Sequence, residues 1–112
     1  MQILGISGSL RAGSLNTQLL RLAAEELPEG VELELYDDLA SIPPFDQDLV
    51  DLAPDQVERL KEAVAEADAI LVATPEFNGS IPGQLKNAID WVSRPLADNP
   101  AFAQGWQAAK RA

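Results

Sequence analysis

The chain contains no cysteine and no histidine. That absence excludes disulfides, thiolate and imidazole metal ligands, cysteine nucleophiles and histidine general bases, and no metal site is expected. Basic residues are scarce: 8 Lys and Arg stand against 18 Asp and Glu, for a net charge of -10. Between Arg21 and Arg59 the chain passes through twelve acidic residues, from Glu25 to Glu58, without one basic residue. Such a surface serves as a solubilising face and repels nucleic acid and anionic membranes, so neither is an expected partner. An anionic ligand would need a local device strong enough to overcome this field. Hydrophobic runs are short, and none approaches the roughly 20 residues that span a bilayer. Gln2-Ile3-Leu4 follow Met1 without the basic region of a signal peptide, which makes the cytoplasm the expected compartment.

What is present suits one globular domain with a modest core: 112 residues, 46% hydrophobic and 23% charged. Gln2 to Ser7 is a short apolar run ended by glycine, a strand covered on both faces. Leu15, Leu19, Leu22, Ala23 and Leu27 recur at helical spacing up to Pro28-Glu29-Gly30, a stop signal. Val31, Leu33 and Leu35 alternate with Glu32 and Glu34, which predicts a strand with one wet face at a sheet edge. Asp37 to Pro54 reads as a loop around "IPPFDQD". Val57, Leu60, Val64 and Ala67 then mark a second helix beginning near Pro54. Ala69 to Ala73 (AILVA) is a third strand of buried type, and Pro82, Leu85, Ile89 and Val92 mark a third helix. Alternating strand and helix predict an α/β fold with a parallel sheet and right-handed crossovers.

The first strand–helix junction reads "GISGSLRAGSLN", Gly5 to Asn16. A helix N-terminus leaves N–H groups unpaired and carries the positive end of the macrodipole, so such a junction is a ready anion site. Ser7, Ser9, Ser14, Asn16 and Thr17 offer neutral donors, and Arg11 can grip a phosphate with two parallel bonds. The same residues also suit an ordinary turn whose serine or asparagine caps the helix. A Walker loop is excluded, because no lysine precedes Lys61, and the glycines Gly5, Gly8 and Gly13 miss the dinucleotide spacing.

In a doubly wound sheet the ligand lies beyond the carboxyl ends of the strands, where the strand order reverses. In the order 2-1-3 that point falls between the first and third strands. The loop after the third strand reads Thr74-Pro75-Glu76-Phe77-Asn78-Gly79-Ser80. Its backbone N–H groups near Asn78, Gly79 and Ser80 suit the polar edge of a flat ring, Pro75 and Phe77 supply apolar contact, and Gly79 allows close approach. The alternative is a turn in which Ser80 or Asn78 caps the next helix.

"GSLRAGSLN" followed by "ATPEFNGSIPGQLKNAIDWVSRP" closely resembles the NADPH-dependent FMN reductase family, over residues 1 to about 98. The resemblance implies a flavodoxin-like parallel three-layer sandwich with a core at 1–98 and an atypical segment at 99–112. It implies FMN as cofactor, with Ser9, Arg11, Ser14, Asn16 and Thr17 at the phosphate and Pro75, Glu76, Phe77, Asn78, Gly79 and Ser80 against the ring. Phe77 stands where the family usually has tyrosine, so a hydrogen bond through that hydroxyl is lost. By the same resemblance NADPH delivers hydride to the flavin, which passes electrons to a small-molecule acceptor such as a quinone or free flavin. No catalytic side chain is implied. "IPGQLKNAIDW" matches a helix that such proteins use in dimer contacts.

The family pattern continues with fourth and fifth strands that are not visible here, so the chain is expected to be a C-terminally shortened version. The AILVA strand is then an unpaired apolar edge. A homodimer or larger homo-oligomer is expected, joined along that strand or through the Pro82–Val92 helix, with the Phe102–Trp106 stretch as a possible cover. Trp91 and Trp106 are expected to be packing residues. The competing expectation is an FMN- or phosphate-binding module without turnover, stabilised by oligomerisation.

Overall fold

The computed structural model describes residues 1–94, so the boundary expected at residue 98 and Trp106 lie outside the described residues. Three parallel strands, β1 (Gln2–Ser7), β2 (Glu32–Tyr36) and β3 (Ala69–Ala73), form a sheet in the order β2-β1-β3. The helices are α1 (Leu15–Glu25), α2 (Asp55–Glu66) and α3 (Gly83–Val92). β1 and β3 fall on the short apolar runs that mark them, and β2 falls on its stretch of alternating leucine and glutamate.

The register sets the faces. Gly5 pairs with Leu35 on one side and Leu71 on the other, and Ile6 with Tyr36 and Val72. Side chains alternate along a strand, so Leu4 and Ile6 share one face. There they join Val57, Leu60 and Val64 of α2 and Leu85, Ala88, Trp91 and Val92 of α3 in the main core. Right-handed crossovers put α1 on the opposite face, where it touches all three strands. The result is a three-layer α/β sandwich. Lys61 is also wholly buried, and burial pushes its ammonium below the ordinary range against the opposing pull of Glu58.

Two expectations about the helices need correction. The stripe expected to bury α1 does not: Leu15, Leu19 and Leu22 are 76%, 58% and 59% exposed, and the residue α1 buries on the sheet is Leu20. The apolar side of α1 is wider than the contact that this sheet offers. The helix also ends at Glu25, before Leu27. In α3, Ile89 faces outward while Ala88 and Trp91 face the core.

The segment after β2 is not a free loop. Two 3-10 turns, Leu39–Ser41 and Gln47–Leu52, shape it, and α3 clamps it. Gln84 Nε2 donates to the carbonyls of Leu39 and Ile42 at 2.8 and 2.9 Å. Asn87 Nδ2 donates to Pro43 O at 2.8 Å and its Oδ1 accepts from the Phe45 amide at 2.7 Å. Trp91 Nε1 also donates to Pro43 O, and its ring meets Phe45 edge-on at 5.0 Å. Gln84, Asn87 and Trp91 recur three and four residues apart and so share a helix face. Much of "IPGQLKNAIDW" is therefore turned inward, which leaves Lys86, Ile89 and Asp90 as its outer residues. Trp91 is a packing residue, wholly buried.

Candidate functional site

Both sequence-marked loops leave the carboxyl ends of neighbouring strands, β1 and β3, and they touch. The Gly8 amide donates to Ala73 O at 2.8 Å. A Cβ at Gly8 would fall 2.2 Å from Thr74 Oγ1 and 3.1 Å from Leu85 Cδ2. Glycine is required there because the two loops meet at that point.

The first loop is built around hydroxyls. Ser7 Oγ accepts from Thr17 Oγ1 at 2.9 Å and from the Ser9 amide at 3.3 Å, which ties the end of β1 to the first turn of α1. Ser9 Oγ accepts from the Arg11 amide at 3.4 Å. Ser14 is 3% exposed and caps α1, its Oγ accepting from the Thr17 amide at 3.3 Å. Ser14 and Thr17 thus shape the loop first. Capping by Ser14 leaves the Leu15 and Asn16 amides without partners among the described residues. Arg11 is exposed, with its guanidinium folded against Gly13 at 3.4 Å from where a Cβ would stand. No described carboxylate lies within ion-pair distance of it.

The second loop turns back on itself. Phe77 and Ser80 exchange two backbone bonds, of 2.8 and 3.0 Å, across Asn78 at φ 53° and Gly79 at φ 76°. Two consecutive positive φ values make this a type I′ turn, which Asn-Gly favours. One expectation is corrected: the Ser80 amide closes the turn and is not available to a ring, whereas the Asn78 and Gly79 amides have no partner among the described residues. Neither Asn78 nor Ser80 caps α3, whose cap position is Pro82, without a side-chain bond. Phe77 is 56% exposed at the turn, beside exposed Glu76 and half-buried Pro75.

A separate groove of about 700 Å³ lies between β2 and α2. It is lined by Glu32, Glu34, Asp37, Glu62 and Glu66, with Arg59 as its basic residue. Arg59 already lies 3.9 Å from Asp38. This groove contains neither loop and repels anions.

Of the sequence-marked residues, Ser9, Arg11, Ser14, Asn16 and Thr17 lie in the β1–α1 loop and the first turn of α1, and Pro75 to Ser80 lie in the β3–α3 loop. Sequence reasoning did not single out the Gly8–Thr74 contact or the free amides of Leu15 and Asn16. Nor did it find the clamp from α3, although amide side chains on the buried side of a helix were a signal for it.

The chain matches the family model for NADPH-dependent FMN reductase over residues 1–110. It is 50% identical over 115 residues to an NAD(P)H-dependent FMN reductase of Pseudomonas aeruginosa, covering 98% of this chain and 62% of that protein. A quinone reductase of Escherichia coli is 40% identical over 110 residues, covering 93% of this chain and 58% of the relative. Among solved structures, the flavoenzyme NAD(P)H:(acceptor) oxidoreductase FerB of Paracoccus denitrificans matches with a TM-score of 0.74 and 41% identity, over 88% of this chain and 53% of that one. The chain spans between half and two thirds of the length of these relatives.

Proposed function

The chain belongs to the NADPH-dependent FMN reductase family, and from that premise we propose that it binds FMN between the β1–α1 and β3–α3 loops and serves hydride transfer from NAD(P)H to a small acceptor such as a quinone. The observation that carries this reading is the meeting of the two loops at Gly8 and Thr74, at the point where the strand order reverses. The phosphate would be held by the Arg11 guanidinium, the Asn16 side chain and the free amides of Leu15 and Asn16. Pro75 and Phe77 would cover the ring, and the Asn78 and Gly79 amides would bond its polar edge. The donor set is neutral or cationic on the phosphate side, as a phosphomonoester requires. When bound, FMN supplies the redox chemistry, so the chain needs no acid or base of its own. The names of its relatives support quinones and free flavins as acceptors. A cytoplasmic setting belongs to the same reading, as does self-association through the exposed side of α3. Among the described residues no helix is long and apolar enough to cross a membrane.

A second reading, FMN binding without turnover, is favoured by the outer edge of β3, which pairs with no described strand and where Ile70, Leu71 and Val72 are 41–44% exposed beside the second loop. One experiment separates the two. Purified chain is titrated with FMN, and its absorbance is followed on addition of NADPH. Bound flavin that bleaches supports the first reading and bound flavin that does not supports the second. Failure to bind at micromolar FMN sinks both.

A further inference from the structure

Glu76 is a sequence-marked residue of the second loop to which the flavin reading gives no task. Its neighbours set its place. The ring of Pro75 fixes the backbone on one side, and the Thr74 hydroxyl donates to Pro75 O at 2.9 Å. On the other side, the two bonds between Phe77 and Ser80 close the type I′ turn. The Glu76 side chain folds over that turn. Its Oε1 lies 4.0 Å from where a Cβ on Gly79 would stand. The carboxylate is therefore beside Gly79, whose amide has no partner among the described residues.

No described cation offsets this carboxylate. From Thr74 to Leu85 the chain holds no lysine or arginine. Lys86, the first one beyond, is paired with Asp90 on its own helix. No described lysine or arginine lies within ion-pair distance of Glu76.

This placement has a consequence for a ring bonded by the Asn78 and Gly79 amides. A flavin that takes up two electrons gains negative charge at its polar edge, and nearby charges shift the balance between its two states. The amides favour the reduced state. A carboxylate beside them opposes it, by about three-fold for unit charges roughly 6 Å apart in water. We propose that Glu76 is a tuning residue: its charge disfavours the reduced ring relative to the oxidised one. The bound flavin is then a stronger reductant and is held less tightly once reduced. The inference rests on the flavin reading of the two loops. The structural alternative is service to the positive end of the α3 macrodipole, since α3 has no acidic residue in its first turn.

The test titrates the purified 112-residue chain and its Glu76→Gln and Glu76→Asp variants with oxidised FMN and, anaerobically, with FMN reduced by dithionite. The ratio of the two dissociation constants, reduced over oxidised, should fall about three-fold or more in Glu76→Gln. That change raises the midpoint of the two-electron couple by about 14 mV, at 29.6 mV for each ten-fold. Glu76→Asp, which keeps the charge, should retain most of the wild-type ratio. The difference between wild type and Glu76→Gln should vanish in 1 M NaCl, where the Debye length is about 3 Å. An unchanged ratio in Glu76→Gln overturns the inference and leaves the flavin reading standing; if the melting temperature falls as well, Glu76 serves α3. A change that persists in 1 M NaCl also overturns it. So does loss of oxidised FMN binding in Glu76→Gln, because the side chain would then be holding the ring. A wild-type chain that binds no FMN sinks the flavin reading and takes this inference with it.

Discussion

Gly8 and Thr74, 66 positions apart in the chain, are neighbours so close that one methyl group on Gly8 would lie 2.2 Å from the Thr74 hydroxyl oxygen and 2.7 Å from its Cβ. This contact joins the β1–α1 loop, proposed to hold the phosphate, to the β3–α3 turn proposed to face the ring. It follows from the pairing of β1 with β3, which ends in Ser7 beside Ala73. The contact holds the two loops together as one unit.

Gly8→Ala is expected to destabilise the fold by about 1–3 kcal/mol through overpacking. Flavin affinity should fall with it, because the two loops must separate. Thr74→Gly in the same background should recover part of the loss. A double-mutant cycle by urea denaturation measures the coupling, and additive effects would show that the two loops relax independently.

Arg11→Ala should weaken FMN binding by about 1.5–3 kcal/mol, the range of a charge-assisted bond, and leave riboflavin binding nearly unchanged. Flavin fluorescence titration with both ligands checks this. Equal losses for the two would remove Arg11 from the phosphate.

Gln84→Leu should destabilise the protein by about 1–3 kcal/mol, because the carbonyls of Leu39 and Ile42 lose their shared donor beside two buried side chains. The 37–54 segment should also become more sensitive to limited proteolysis. Unchanged cleavage there would mean that Asn87 and Trp91 hold the segment alone.

Tyr36 gives the pH dependence a definite sign. Burial, followed by the charge of Asp38, pushes its phenol up from 10.0 to about 12. The unfolded chain releases this proton near pH 10 while the folded chain keeps it to about pH 12. Across that window the unfolded state binds fewer protons, so stability falls as pH rises. The Tyr36 hydroxyl is buried without a hydrogen-bond partner among the described residues. Tyr36→Phe should therefore be neutral or stabilising at pH 7 and should flatten the alkaline loss, as thermal melts between pH 8 and 12 would show.

Much of this protein was legible before any coordinates. The three strands and the two loops follow from local signals: apolar runs ended by turn residues, alternating leucine and glutamate in β2, and Asn78-Gly79, whose type I′ turn is written in the dipeptide itself, whereas the order 2-1-3 came from the flavodoxin-like fold that the chain resembles. These signals are local because backbone geometry and solvent exposure act over a few residues.

What the sequence could not decide is how each apolar side is used. Leu15, Leu19 and Leu22 read as a buried stripe because helical spacing reveals that a face is apolar and says nothing about what lies opposite. The same limit hid the inward clamp of Gln84, Asn87 and Trp91, whose partners are carbonyls more than forty residues away. It also hid the need for glycine at position 8, which exists only because another strand brings Thr74 alongside. Periodicity and turn chemistry determined the elements and the loops. Tertiary structure alone decided which groups those loops leave free and which apolar surfaces stay open, because both depend on contacts between segments distant in the chain.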